Sequence, residues 1–358
     1  MTRPYDIAPS SSLGLRSSEQ QPLVGEPTAS VPPRRLGSVR RTSHLLMTWP
    51  QGHGGDLQVR GRARDLLTPI HGAPEIINTA ELSVLHGPDR AVRSIELEPT
   101  TGKTELLVGS GPGRGFRRAI NSAFAEDHER HSLGFFLVED LPTASLISTF
   151  AWSRQPEMVD QFFDDSRRSA SQVAGICSGY RPGGIALEMR SKGADLSQNV
   201  AVAEALDNAG DALAWHEMEA PEGVAMCRRR RIDVWTEGDR HLVDAMFRDN
   251  TWDPDRREAI VHEYSLTATV DAATLSLTAL EATARVLPYP ECPLAVAEIQ
   301  RCIGLPVVTL RSTVLEQLRG IHSCTHLNDM LRALAELPAM ITHITERDAA
   351  LEGLPLED

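Results

Sequence analysis

The sequence predicts an α+β protein made of two similar lobes, each a small antiparallel sheet with helices on one face, packed together as a pseudo-dimer. Two observations support this prediction. Segments that alternate between apolar and polar residues are followed by segments of helical periodicity, and this order occurs twice. With 358 residues, of which 41% are hydrophobic, the chain is long enough for one large domain or two of ordinary size.

The first segment, residues 1–38, is rich in proline and serine and has no periodic apolar pattern. A chain of this composition buries too little apolar surface to offset the entropy lost on ordering. We therefore expect a disordered N-terminal tail. Alternation begins beyond it, and residues 43–49 and 56–61 are the first predicted strands.

The internal repeat is visible as landmarks that recur in the same order. Arginine and aspartate at 64–65 recur at 248–249, and histidine and serine at 131–132 recur at 322–323. Between these landmarks each copy has a predicted hairpin and then helical patterns. The predicted segments are a tail (1–38), a degenerate N-terminal lobe (39–155), a connecting segment (156–225), a C-terminal lobe with the candidate site (226–345) and a C-terminal tail (346–358).

Composition restricts the classes of partner. A formal net charge of -13 disfavours nucleic acid, whose binding depends on lysine and arginine neutralising phosphates. The sequence has neither an uninterrupted apolar run of membrane-spanning length nor an apolar signal segment, so we expect a cytoplasmic protein that does not bind membranes. Five scattered cysteines in a chain of this size predict reduced thiols. A small-molecule ligand is the expected partner, and the sequence predicts no oligomeric state.

The two predicted lobes differ in their cysteines and histidines. The C-terminal lobe has Cys292, Cys324 and His326, which the N-terminal lobe lacks, and the positions of Cys324 and His326 have apolar counterparts there. This contrast favours one working site and one degenerate site.

Four consecutive arginines at 228–231 enter a strand of the C-terminal lobe, and we interpret them as a solvated edge of the sheet.

A metal site is the first interpretation of this set. Thiolate and imidazole suit zinc and are acceptable to iron, and a catalytic site needs three protein ligands and an open position. The spacing is none of the strong zinc patterns, so zinc and iron both stay open. The candidate ligands are Cys292, Cys324, His326 and either His262 or His322, with Asp249 as an oxygen ligand or an orienting partner.

Two other interpretations stay open. Cys324 lies near a predicted helix N-terminus, which lowers thiol pKa values, and His322 or His326 would accept its proton if Cys324 were a catalytic nucleophile. Alternatively, the cysteines pack as small apolar residues with no chemical role.

The C-terminal lobe resembles the DUF2889 family, a bacterial domain family of unknown function. The resemblance rests on 262–264, 288–292 and especially 323–327, and it extends over about 228–340. The N-terminal lobe resembles the family only at its opening, 40–68. No activity is assigned to the family. The resemblance therefore implies candidate site positions in this sequence and no reaction mechanism.

The predicted order of strands, cysteines and helices is also similar in shape to the IscU and SufU iron–sulfur scaffold proteins, although the third cysteine of their pattern is missing. We predict an enzyme that acts on a small organic molecule through the Cys/His site, with metal dependence as one interpretation. The alternative is a non-catalytic metal- or ligand-binding scaffold protein.

Overall fold

The fold is organised around one sheet, seen in a computed structural model that describes residues 15–16, 26–111, 114–155, 170–191, 200–203, 206, 210–252 and 255–352. Nine of its ten strands occur in the spatial order β1-β6-β9-β8-β7-β2-β3-β4-β5. The tenth, β10, pairs with residues 263–270 of β9, beyond the part of β9 that pairs with β6. The strands are β1 (Leu15–Arg16), β2 (Ser38–Thr48), β3 (Leu57–Thr68), β4 (Glu75–His86), β5 (Val92–Glu98), β6 (Val200–Ala203), β7 (Ala225–Glu237), β8 (Arg240–Trp252), β9 (Glu258–Asp271) and β10 (Leu277–Val286).

Two antiparallel meanders make up most of this sheet. Strands β2 to β5 pair in sequence, and so do β7 to β10. The meanders join edge to edge because β2 pairs antiparallel with β7, from Ser38 opposite Trp235 to Thr48 opposite Ala225. The predicted α+β class with antiparallel strands is confirmed. The expectation of two separate small sheets needs correction, since the pairing of β2 with β7 makes one continuous sheet.

Helices follow each meander and cover one face of the sheet. Those after β5 are α1 (Arg114–Ala123), α2 (Ala125–Glu129) and α3 (Leu133–Ile147), and two short ones, α4 (Ala170–Val173) and α5 (Ile185–Ser191), lie in the connecting segment. Those after β10 are α6 (Ala295–Glu298), α7 (Leu310–Gln317), α8 (Thr325–Ala333) and α9 (Leu337–Glu352). Two large apolar clusters, one for each meander and its helices, fill the space between the layers.

The other face of the central strands is covered by non-helical segments. Arg248 donates to the Thr28 carbonyl oxygen at 2.7 Å, and Arg40 donates to the Pro32 carbonyl oxygen at 2.9 Å. Val31 is 1% exposed. Within the predicted tail of residues 1–38, Leu15 and Arg16 already pair with β6 as β1, and the chain from Thr28 onward packs on the central strands. Residues 1–14 and 17–25 of that predicted tail lie outside the described residues.

The four arginines at 228–231 correct a second expectation. They lie in the middle of the sheet and are 1–3% exposed, because β7 is a central strand and each guanidinium has a carboxylate partner. Charged groups are buried at high cost unless they are paired in this way. The pairs are Arg228 with Asp249, Arg229 with Glu258, Arg230 with Asp140 and Arg231 with Asp233.

One described stretch, Leu133–Arg154, has the length and apolar composition of a membrane-spanning helix, but 78% of its most apolar window is buried inside the protein. Burial of this kind is typical of a core helix. The helix begins at Ser132, whose side chain accepts a hydrogen bond from the Phe135 amide as an N-cap. The described fold is consistent with a soluble protein.

A buried histidine pair lies on the non-helical face. The Nδ1 atom of His44 is 2.7 Å from Nε2 of His216, and the rings stack with centroids 4.9 Å apart. Burial, reinforced by Arg229 and Arg62, lowers the pKa of His44 to about 3. Burial, reinforced by His44, Arg64 and the same two arginines, lowers the pKa of His216 to about 2. Both imidazoles are therefore neutral in the folded protein.

We expect the free energy of unfolding to fall as the pH drops below the ordinary histidine pKa of 6.5. Between that pH and the folded-state pKa values only the unfolded chain takes up these protons, so each histidine contributes a slope of about 1.4 kcal/mol per pH unit. Chemical denaturation across this range should show a shallower slope for the double variant His44→Gln/His216→Gln than for the wild type. Equal slopes would contradict the assignment of two buried neutral imidazoles.

Candidate functional site

Asp249, His262 and His326 form a compact donor group between the sheet and the helices. Their potential ligand atoms all lie within 4.8 Å of one another. Asp249 on β8 is directly opposite His262 on β9, so both side chains point to the helical face. A β-bulge follows Asp249, and bulges of this kind re-aim neighbouring side chains. His326 comes from the first turn of α8, which lies over these strands.

The geometry of the group leaves two buried nitrogens without a partner. The Nε2 atom of His326 is 3.5 Å from Oδ2 of Asp249, beyond normal hydrogen-bond length. The rings of His262 and His326 stack with centroids 3.6 Å apart. Among the described residues, neither Nδ1 of His262 nor Nε2 of His326 has a hydrogen-bond partner. Buried polar atoms are rarely left unsatisfied, so these two nitrogens are candidates to bind an ion or a water molecule.

Arg228 fixes the carboxylate of the group. Its Nε and Nη2 atoms donate to the two oxygens of Asp249, both at 3.0 Å, and its Nη1 donates to Asp329 at 3.1 Å. Burial raises the pKa of Asp249 to about 6 even though Arg228 opposes the shift. A carboxylate has about four lone-pair positions, so this bidentate contact leaves Asp249 able to bind another group.

Both imidazoles are neutral. Burial lowers the pKa of His262 well below its usual value, and the neighbouring His326 and Arg228 add to the shift. Burial and Arg228 do the same to the pKa of His326. A neutral imidazole keeps a lone pair, which is the form that binds metal ions.

Cys324 lies on the other side of the His326 ring. It is the N-cap residue of α8, and its Sγ is 3.7 Å from Nδ1 of His326. Burial raises the pKa of this thiol, although the Tyr264 hydroxyl and backbone amides of α8 oppose the shift. The protonated thiol is therefore favoured in this structure, and a nucleophilic role for Cys324 stays a prediction.

The other candidates occupy different positions. Cys292 lies outside the compact group, close to Cys177 and Gly179 from the connecting segment. His322 is on the surface, with 51% of its side chain exposed, and its Nδ1 is 3.0 Å from Oε1 of Glu298. The structure thus brings together Asp249, His262 and His326, with Cys324 in contact with His326.

Sequence reasoning missed two contributors to this region. Arg228 was assigned to a solvated edge, although it is directly opposite Asp249 in the strand register. A search for oppositely charged residues at matching positions of paired strands would have found it. Cys177 is in the connecting segment, and no local pattern connects it with residues more than a hundred positions away.

The region that carries the donor group is a four-stranded antiparallel meander followed by helices, with its polar side chains between the two layers. Residues 226–340 match the family model described as "Protein of unknown function (DUF2889)". The resemblance of the C-terminal region to this family is therefore confirmed. No curated protein and no solved structure matches the chain.

We expect Cys177 to react first with an alkylating reagent. It is half-buried, whereas the other four cysteines are buried. Burial also raises its pKa to about 11, so the reaction should be slow compared with that of the unfolded chain. Peptide mass spectrometry over a time course of iodoacetamide treatment measures the order. Earlier labelling of Cys227 or Cys302 would contradict the described burial.

Proposed function

We propose that this protein is a metal-dependent enzyme that acts on a small organic molecule, with a zinc or iron ion held by Asp249, His262 and His326. The observation that carries the proposal is that two buried imidazole nitrogens, Nδ1 of His262 and Nε2 of His326, have no hydrogen-bond partner among the described residues, although both rings belong to a donor group that includes the Asp249 carboxylate. Neutral imidazole and carboxylate are suitable ligands for both metals.

The spacing of the donors supports this assignment. Two ligand atoms, each about 2.1 Å from an ion and at the tetrahedral angle, are about 3.4 Å apart. The 3.5 Å between Nε2 of His326 and Oδ2 of Asp249 is close to this value and too long for a good hydrogen bond. The ligand atoms of all three residues lie within 4.8 Å of one another, which is compatible with a single ion between them.

Three protein ligands favour an enzyme, because they leave a coordination position for water or substrate. A bound ion would polarise a substrate carbonyl or lower the pKa of water. In this arrangement Arg228 orients Asp249, and Cys324 accepts the Nδ1 proton of His326, which leaves Nε2 as the binding nitrogen. Outer partners of this kind fix the orientation of metal ligands.

We further propose that the two halves are an internal duplication of which one copy kept the site. The bidentate contact of Arg41 with Asp65 occupies the same strand register as that of Arg228 with Asp249. Asn78 is opposite Asp65, where His262 is opposite Asp249.

The helix that follows each meander shows the same contrast. By its place in the helix His326 corresponds to Gly134, since each is the second residue, and by the recurrence of 131–132 at 322–323 it corresponds to Phe135, so neither counterpart has an imidazole. A Cβ at Gly134 would lie 3.0 Å from the Pro99 carbonyl oxygen, a tight contact that disfavours a larger side chain there. The N-terminal copy keeps the ion pair and has neither imidazole.

A non-catalytic metal- or ligand-binding scaffold is the second candidate. The observation that favours it is the position of a cavity of about 370 Å³, which is large enough for a small molecule. This cavity is lined by residues such as His44, Arg62 and Glu96 and by none of the candidate metal ligands, so a ligand bound there would not reach the proposed metal.

The coordination of the metal distinguishes the two candidates. A scaffold that fills the coordination sphere of its metal with protein atoms has no open position. If azide changes the visible spectrum of the cobalt-substituted protein, the enzyme is supported, and an unchanged spectrum favours the scaffold.

We also propose which partners the protein binds and which it does not. A small organic ligand fits a metal centre with an open position, and the net charge of -13 disfavours nucleic acid. We continue to predict a cytoplasmic protein that does not bind membranes.

We expect zinc or iron to co-purify with the wild-type protein when chelators are avoided, and to be lost in His262→Gln and His326→Gln. Each change removes one of three ligands, and an affinity loss well beyond about tenfold is expected because even outer partners of metal ligands contribute that much. Elemental analysis of the folded proteins gives the metal content. His322→Gln is the control, since it removes an exposed imidazole of the same half. Equal metal content in all four proteins would refute the centre.

A matched pair of carboxylate variants separates metal binding from folding. Asp65→Asn and Asp249→Asn each weaken a buried bidentate ion pair with arginine, and loss of one partner of such a pair costs about 3–5 kcal/mol. We expect both variants to unfold at lower temperature and only Asp249→Asn to lose the metal. Thermal unfolding and elemental analysis of the same samples test this. The assignment is wrong if Asp65→Asn loses as much metal as Asp249→Asn.

A further inference from the structure

Three of the five cysteines converge beside the proposed centre, although they come from three distant segments. The Ser178 amide donates to the Ser323 carbonyl oxygen at 2.8 Å, which places Cys177 beside Cys324. An ideal Cβ at Gly179 would be 3.8 Å from the sulfur of Cys177 and 2.7 Å from that of Cys292. Tyr264 lies between the layers and interacts electrostatically with all three thiols.

The loop that carries Cys177 is held against the C-terminal half. The Ser178 hydroxyl donates to the Ile321 carbonyl oxygen at 3.0 Å, and the Tyr180 and Tyr289 hydroxyls are 2.9 Å apart. Gly179 is required at its position, because any side chain would collide with the sulfur of Cys292. The loop therefore lies directly against the sulfur of Cys292.

The chemistry of the group favours metal binding over disulfide formation. Burial, with a contribution from the neighbouring Cys324, raises the pKa of Cys177 to about 11, and burial raises that of Cys292 well above its usual value. Thiol–disulfide exchange needs a thiolate, so these thiols react slowly. A metal ion replaces the protons directly, and soft thiolates select copper(I) and zinc.

We infer that Cys177, Cys292 and Cys324 form a second metal site, distinct from the Asp249 centre, for a thiophilic ion of the copper(I) or zinc class. Among the described residues the compact donor group is that of Asp249, His262 and His326, so the three sulfurs are spaced more widely than the ligands of one ion. Binding must therefore draw the loop of Cys177 inward. The inference does not depend on the occupancy of the Asp249 centre.

Cadmium titration of the reduced, metal-free full-length protein tests the inference, because cadmium–thiolate bonds give a characteristic ultraviolet absorption. We expect the wild type to show this absorption and to saturate with a single ion. Cys177→Ser and Cys292→Ser should bind more than about tenfold more weakly, since even an outer partner of a metal ligand contributes that much. Cys177 is half-buried, so Cys177→Ser is the variant expected to fold normally.

Two controls make the result specific. Cys302→Ser removes a buried thiol outside the group and should bind as the wild type does. His262→Gln should lose the zinc or iron of the proposed centre and keep the cadmium–thiolate absorption, so the two proposals fail separately. The inference is overturned if the wild type lacks the absorption, if Cys177→Ser binds as tightly as the wild type, or if Cys302→Ser or His262→Gln loses the absorption.

Discussion

A chain of buried ion pairs between the sheet and the helices is the interaction on which the rest of the structure depends. It begins at Asp65, which Arg41 contacts at 2.7 Å, and Arg41 also contacts Glu336 at 2.7 Å. It ends at Asp249 through Arg228. The intermediate links are Glu336 with Arg311, Arg311 with Glu139, Glu139 with Arg332, Arg332 with Asp329 and Asp329 with Arg228. Since an unpaired buried charge costs several kcal/mol, removal of any member leaves its neighbours uncompensated.

This network unites the two halves and orients the candidate site. Glu139 on α3 of the N-terminal half pairs with Arg311 and Arg332 of the C-terminal half, and Glu336 of the C-terminal half returns to Arg41. Burial alone would raise the pKa of Glu336, but Arg311, His131 and Arg41 outweigh it and the net shift is downward. The helices therefore cannot slide over the sheet without separating charges. The same contacts hold Asp249 in place beneath His326.

The strands were predictable from sequence because alternation reports directly which side chains face the core, as it does for β4 and β5 and for β9 and β10. The centre of the sheet was not. A prediction based on polarity places the arginines at 228–231 on the solvent-exposed surface. They are buried instead because carboxylates from β8, β9 and α3 pair with them. The sequence identifies Asp249, His262 and His326 as candidates because they lie at landmarks of the internal repeat and the N-terminal half lacks the two histidines. Their actual convergence depends on strand register, which polarity patterns do not give.

The charge around Arg228 explains how a cation would be tolerated next to a buried guanidinium. Arg228 has three carboxylates within 4 Å, those of Asp249, Asp329 and Asp140, whereas Arg41 has those of Asp65 and Glu336. Asp140 and Asp329 also pair with other arginines, so it is Asp249, 3.5 Å from His326, that would offset the charge of an ion beside the imidazoles.

The opposite half needs no such compensation, because Asn78 and Gly134 offer an ion nothing stronger than an amide. Two neutral histidines whose buried nitrogens lack a partner among the described residues would lower the stability of the fold. The two imidazoles with unpaired nitrogens occur in the half that carries Asp249, and the proposed cation would account for them.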